Sequence, residues 1–290
     1  MSFPSNFTWG AAAAAYQIEG AVAEDGRAPS IWDTHSHQPG RIFEGHTGDV
    51  ACDHYHRWPE DVALMRNLGI QAYRMSISWS RVIPKGTGKP NPKGLAFYDK
   101  LFDALLEAGI TPWVTLFHWD LPEALQKRGG FQQRDMVEWF GDYAALIARR
   151  YGDRVKNFMT INEPPCVVGL GLQEGKFAPG YTLPYADCLL AAHHLLMAHG
   201  RAVQALRAGC PGKIQVSIAH TARERIPATE GKRDIEAARR DYFGSTIRDM
   251  WNLSWWADPI MFGKYPADGL KAHAADLPGI KAGDMKLISQ

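Results

Sequence analysis

A parallel barrel of alternating strands and helices is the fold class that this sequence predicts, and three observations lead to it. Short β-prone runs alternate with amphipathic helices along the whole 290-residue chain. Arg74, His118 and Glu163 mark successive strand ends 44 and 45 residues apart, which is the repeat of one βα unit. No Gly-x-Gly-x-x-Gly follows the first strand-like run and no P-loop pattern occurs, so a nucleotide-binding doubly wound sheet lacks its signature. The expected class is therefore α/β, a (β/α)8 barrel of the TIM type, with about the first five βα units readable here. No linker, low-complexity tract or composition break divides the sequence, so residues 1–290 read as a single barrel domain.

The elements follow in order. The first strand is expected over Phe7 to Ala14. Pro59-Glu60-Asp61 makes a good first helical turn and sets Trp58, Val62, Met65 and Leu68 on one face, with Gly69 as the stop. Gln71 to Ile77 reads as the second strand. Asn91-Pro92 opens a helix carrying Leu95, Tyr98, Leu101 or Phe102, and Leu105 at three-to-four spacing, closed by Gly109. Thr111 to Phe117 is the third strand. From about Arg134 a helix holds Val137, Phe140, Ala144, Ile147 and Tyr151 in register, and the fourth strand is Asn157 to Ile161. A long helix from about Tyr185 to Ala208 ends at Gly209, before a fifth strand at Lys213 to Ala219. A last helix covers roughly Asp234 to Trp255, and Pro278 to Gln290 reads as the approach to a sixth strand. Three more units at this repeat would add roughly 135 residues, so the sequence reads as the front part of a longer protein.

Composition excludes several classes. A net charge of +1, from 32 basic and 31 acidic residues, gives no electrostatic reason to expect nucleic acid or an anionic membrane. No span approaches the ~20 apolar residues of a membrane helix. Ala11 to Ala15 is too short and too weakly apolar for a signal core, so a cytoplasmic protein is expected. Cys52, Cys166, Cys188 and Cys210 are widely spaced, which suits buried thiols in a reduced compartment better than disulfides or zinc. His35, His37, His46, His54 and His56, with Cys52 and Asp53, offer metal-like ligand types. Imidazoles two apart, however, suit strands or loops rather than the helical pairs of zinc proteases. No metal and no cofactor is expected.

The stretch Phe158-Met159-Thr160-Ile161-Asn162-Glu163-Pro164-Pro165 is a short apolar strand ending in an amide and an acid, with proline stopping further pairing. Catalytic groups in such barrels stand at the carboxyl ends of several strands. Those ends carry Tyr16-Gln17, Arg74, His118-Trp119 and Asn162-Glu163. The set combines hydrogen-bonding groups, an aromatic plane, a fixed cation and one acid, which suits a neutral polyhydroxylated substrate. Each member also has a duller role: Gln17 and His118 as caps or satisfied core groups, Arg74 in an internal ion pair, Trp119 in packing, Glu163 in a turn. Their shared position at one end of the alternating elements is what favours a site.

At these residues the chain resembles the family-one glycoside hydrolases, the retaining β-glucosidases and their relatives. The matching stretches are Phe7-Thr8-Trp9-Gly10 with Tyr16-Gln17-Ile18-Glu19-Gly20, Tyr73-Arg74-Met75-Ser76-Ile77-Ser78-Trp79-Ser80-Arg81, Thr115-Leu116-Phe117-His118-Trp119-Asp120-Leu121-Pro122 and Thr160-Ile161-Asn162-Glu163-Pro164. Trp256-Ala257-Asp258-Pro259 and Gly263-Lys264-Tyr265-Pro266 continue the match in the same order. The resemblance implies that Glu163 is the acid/base carboxyl and that Asn162 holds the sugar 2-hydroxyl. It implies that Gln17, His118 and Trp119 line the sugar pocket and that Arg74 orients the nucleophilic carboxylate and keeps it ionised. Cys166 and Leu170 to Leu172 would face the leaving group.

The family's nucleophile lies in a Thr-Glu-Asn-Gly motif, and nothing after Ala219 matches it. A retaining reaction needs that second carboxylate about 5–5.5 Å from the first. The expectation is thus a β-glucosidase sequence with its acid/base present and its nucleophile missing from this chain. Its substrate would be a terminal non-reducing β-D-glucoside or a short β-linked oligosaccharide. Galactosides, fucosides and 6-phosphoglycosides stay open as alternatives, as does a truncated, non-catalytic protein that binds carbohydrate or a partner. Five strands also leave two open sheet edges, to be met by a C-terminal complementing fragment or by self-association.

Overall fold

The computed structural model describes residues 2–290. Five parallel strands form one sheet in the order β1 (Gly10–Ala12), β2 (Ala72–Ser76), β3 (Thr111–Phe117), β4 (Asn157–Asn162), β5 (Gln215–Ala219). A sheet whose spatial order equals its sequence order is that of a barrel, since doubly wound sheets reverse direction at a switch point. The main helices are α1 (His54–Asn67), α2 (Pro92–Glu107), α3 (Met136–Tyr151), α4 (Tyr185–Gly209), α5 (Lys232–Phe243), α6 (Leu253–Phe262) and α7 (Asp284–Ile288). None of the helices among the described residues is long and apolar enough to cross a membrane.

Local chemistry sets most boundaries. At the start of α2 the Asn91 side chain accepts from the Lys93 N–H, Pro92 supplies the first helical position, and Gly109 stops the chain beyond it at φ +73°. The helix buries Phe97, Tyr98, Leu101, Phe102 and Leu105, the stripe its spacing foretells. Strand β3 has the expected ends. Its pairing sets Phe117 opposite Ile161, and alternation puts Arg74, Thr115 and Met159 on one face while Tyr73, Val114 and Phe158 pack into the core.

Four expectations need correction. Strand β1 is three residues, Gly10–Ala12: Phe7 lies outside it, packed with Phe3 and Trp9 at ring centroids 4.5–4.8 Å, while the Trp9 carbonyl accepts from the Gln71 and Ala72 N–H groups just ahead of the strand. Helix α1 begins five residues before Pro59, whose missing N–H falls early enough to forfeit one bond. That helix ends at Asn67, so Leu68 leaves the apolar stripe and is 69% exposed. The expected last helix is two, separated after Gly244, with the Asn252 side chain capping α6 by accepting from the Trp255 N–H. Within Pro278 to Gln290, the stretch read as the approach to a sixth strand, the chain forms helix α7. The cysteines are free, and Cys52 is exposed whereas Cys166, Cys188 and Cys210 are buried.

Helix α7 is held by Asp284, which accepts from Arg134 and from His193 Nε2 at 3.1 Å. Its backbone crosses α4 at Gly200, where a methyl group would stand 1.8 Å from the Leu287 carbonyl oxygen. Gly200→Ala is therefore expected to destabilise the fold by about 1–3 kcal/mol through overpacking. Urea denaturation reads this, and an unchanged midpoint would contradict the close crossing.

The ion pair of Arg81 and Glu19 lies within the core. Arg81 Nε donates to Glu19 Oε2 at 2.9 Å, and a guanidinium nitrogen reaches the Gly20 carbonyl at 3.0 Å. The Tyr98 hydroxyl donates to the other Glu19 oxygen at 2.5 Å, and Arg81 lies 4.2 Å from the Tyr55 ring centroid.

Candidate active site

The carboxyl ends of β1 to β4 converge on a cleft of about 250 Å³ bounded by Ala12, Ala13, Gln17, Arg74, His118, Trp119, Asn162 and Glu163. Six of the seven strand-end residues named from the sequence line it, Tyr16 being the exception. Gln17 sits on the short helix Ala15–Ile18, tied to the end of β2 by the Ala15 N–H donating to Ser76 Oγ at 2.7 Å.

Asn162 organises the floor. Arg74 donates to its Oδ1, and also to Thr115 Oγ1 at 3.2 Å. That fixes the amide so that Nδ2 faces His118 Nε2 at 3.1 Å. Burial, and then the Arg74 charge, holds the His118 imidazole down to about 4, so it is neutral near pH 7. With Nε2 accepting from Asn162, the ring proton belongs on Nδ1. Trp119 Nε1 donates to the Asn162 carbonyl at 2.9 Å, pinning the end of β3 to the end of β4.

Two residues here hold left-handed backbone: Trp119 at φ +73° and Glu163 at φ +45°. Non-glycine residues rarely do so, and such outliers gather at functional sites. For Glu163 the cause is visible. The β4–β5 register slips between Met159 and Asn162, and the Glu163 N–H then donates to the Ala219 carbonyl at 2.7 Å. Pro164 and Pro165 turn the chain into the helical segment Cys166–Gln173.

Asp120, next to Trp119 in the chain, is 1% exposed, with both carboxylate oxygens lacking a hydrogen-bond partner. The backbone N–H groups of His118 and Asp120 face it without reaching bonding geometry, and Glu19, Arg27 and Tyr143 are its ionisable neighbours. Burial pushes its carboxyl up to about 7. An acid raised on folding adds stability that is complete below about pH 4 and is lost as pH rises through about 7. Asp120→Asn should therefore flatten the fall in stability between those limits, by a few kcal/mol. Thermal melts at pH 4.5 and 7.5 test it, and an equal pH dependence in wild type and variant would refute it.

The histidine-rich segment is occupied by carboxylates: His37 meets Asp49 at 3.0 Å, His54 meets Asp61 at 2.6 Å, and His56 lies between Asp53 and Glu24. Among the described residues no three His, Cys, Asp or Glu side chains converge as metal ligands.

A family model described as glycosyl hydrolase family 1 matches residues 1–290. The chain belongs to this family. Beta-glucosidase A of Acetivibrio thermocellus is 46% identical across the whole chain, and beta-glucosidase A of Thermotoga maritima is 45% identical over 99% of it. The chain spans 63% of the length of each of these relatives. The solved family 1 β-glucosidase from Thermotoga maritima superposes with a TM-score of 0.87 at 45% identity, covering 99% of this chain and 62% of that one. A β-glucosidase from Thermotoga maritima in complex with castanospermine superposes with a TM-score of 0.89 at 44% identity, covering 99% of this chain and 63% of that one. The five strands are thus the first five βα units of a glycosyl hydrolase family 1 barrel.

Sequence reasoning missed several groups around the cleft. A second cavity of about 430 Å³ shares Gln17, His118 and Trp119 with it and is walled by Tyr16, which the sequence pointed to, and by Trp32 and Phe177, which it did not. Trp32 and Phe177 are distant in sequence and meet edge to face at 5.5 Å. His220 follows β5 directly and lies half-buried, its imidazole lowered by burial. Its place after a strand was the available signal. Of the segment expected to face the leaving group, Cys166 and Leu172 are buried and Leu170 is half-buried.

Proposed function

We propose that this chain carries the acid/base half of a retaining β-glucosidase acting on terminal β-D-glucosyl residues. The observation that carries the proposal is the convergence of Gln17, Arg74, His118, Trp119, Asn162 and Glu163 on one cleft, with Glu163 its one carboxylate among the described lining residues. Glu163 gives its proton to the glycosidic oxygen, then takes one from the attacking water. Asn162, oriented by Arg74, offers its remaining amide N–H to the 2-hydroxyl, a contact that tightens as the ring gains oxocarbenium character. Neutral His118, Gln17 and Trp119 bind the other hydroxyls and a ring face. Arg74 is half-buried, and burial weighs against its charge while Glu163 supports it. In this reading its charge also keeps a second carboxylate ionised. That nucleophile is supplied from outside these 290 residues, either in the same polypeptide or by a separate one.

A single carboxylate in the cleft also favours a second reading, sugar binding without turnover. Mixing the purified chain with a separately produced C-terminal portion of a family 1 enzyme decides between them. Regained release of p-nitrophenol from an aryl β-glucoside supports the hydrolase. Saturable sugar binding with no release in any mixture supports the binding protein.

A further inference from the structure

Among the described residues the Glu163 carboxylate takes part in one hydrogen bond, accepted at Oε2 from the Cys166 thiol with Sγ 3.4 Å away. Cys166 stands three residues on, and its backbone N–H donates to the Glu163 carbonyl at 2.9 Å. Glu163 is thus tied twice to one neighbour, through main chain and side chain, at a position whose backbone is left-handed. Cys166 is 8% exposed. Burial first, then the Glu163 charge, pushes its thiol up to about 12, so it carries its proton at neutral pH and acts as the donor.

We infer that Cys166 is a positioning residue: its S–H fixes Oε2 of Glu163 against the following helix, leaving Oε1 to face the glycosidic oxygen. The inference rests on the acid/base reading of Glu163. Its chemical sense lies in the weakness of the donor. An acid/base group must hold its proton in one half-reaction and release it in the other. A guanidinium or ammonium at this place would favour the carboxylate strongly. A thiol is a weak donor, so it orients the group while biasing either state little.

The test uses the 290-residue chain itself and the S–H stretching band in infrared difference spectra, with the Cys166 contribution defined by subtracting Cys166→Ala. A thiol bonded to a carboxylate absorbs at lower frequency than a free one. The expected result is a shift of the Cys166 band to higher frequency in Glu163→Gln, whose amide oxygen is a poorer acceptor, and a larger shift in Glu163→Ala. The bands of Cys188 and Cys210 should stay in place in both variants. A Cys166 band that does not move in either variant overturns the inference. The band reports the thiol contact whatever reaction Glu163 performs. Hydrolysis unaffected by Glu163→Gln would instead sink the acid/base reading and leave the band shift intact.

Discussion

Glu163→Gln is expected to lower turnover of an unactivated β-glucoside such as cellobiose by about 10²–10⁴-fold, the usual contribution of a positioned general acid. The experiment uses a hydrolytically competent form, in which this chain is joined to or mixed with the part carrying the nucleophile. The amide keeps the size and rotamers of the acid but has no proton to give. The loss should depend on the leaving group. A sugar alkoxide needs protonation as it departs, whereas a dinitrophenolate leaves unaided, so formation of the glycosyl-enzyme from the dinitrophenyl glucoside should be nearly spared. Hydrolysis of that intermediate still needs a base, so the activated substrate should show a rapid burst followed by slow turnover. Equal activity of variant and wild type on cellobiose would remove Glu163 from the chemistry.

The largest expected effect on stability is at Arg81. Arg81→Met should destabilise the fold by about 3–5 kcal/mol, since it strands the Glu19 carboxylate in the core without its cation. The Arg81 and Glu19 side chains are 1% and 4% exposed, so water cannot take over the lost contact. The Gly20 carbonyl loses a donor in the same step. Tyr98 alone would remain on Glu19. Adding Glu19→Leu to Arg81→Met should recover much of the loss by removing the orphaned charge. Urea midpoints measure both variants, and a loss under about 1 kcal/mol for Arg81→Met would show that the pair is solvated or dispensable.

The pattern of the sequence carried far where local chemistry and tertiary packing agree. Thr111 to Phe117 has the ends expected of it, because an apolar run is bounded by Gly109 behind and polar His118 ahead. The α2 stripe is right because capping, period and burial coincide. The sheet edge was harder to read. At β1 the pairing covers only Gly10–Ala12, and Phe7 sits outside it in an aromatic cluster with Phe3 and Trp9, an arrangement that β-propensity does not contain. Helix α7 is not legible in the run from Pro278, because Asp284, which holds it, finds its partners Arg134 and His193 across a long sequence gap.

The candidate site divides in the same way. Gln17, Arg74, His118, Trp119, Asn162 and Glu163 were legible from their regular recurrence in or just after successive strands, together with a family resemblance. The contacts among them were not. The Trp119 bond to the Asn162 carbonyl and the thiol bond to Glu163 depend on left-handed backbone at residues other than glycine, for which sequence gives little warning.

Each strand of the sheet hydrogen-bonds to the one immediately before it in the chain. On a ribosome delivering roughly 5–20 residues per second, a newly emerged strand therefore finds its docking edge already in place. The connections between successive strands run from 34 to 59 residues, and because closure entropy grows only with the logarithm of length, each adds a similar entropic toll. Assembly of this sheet can keep pace with translation, growing always at its youngest strand.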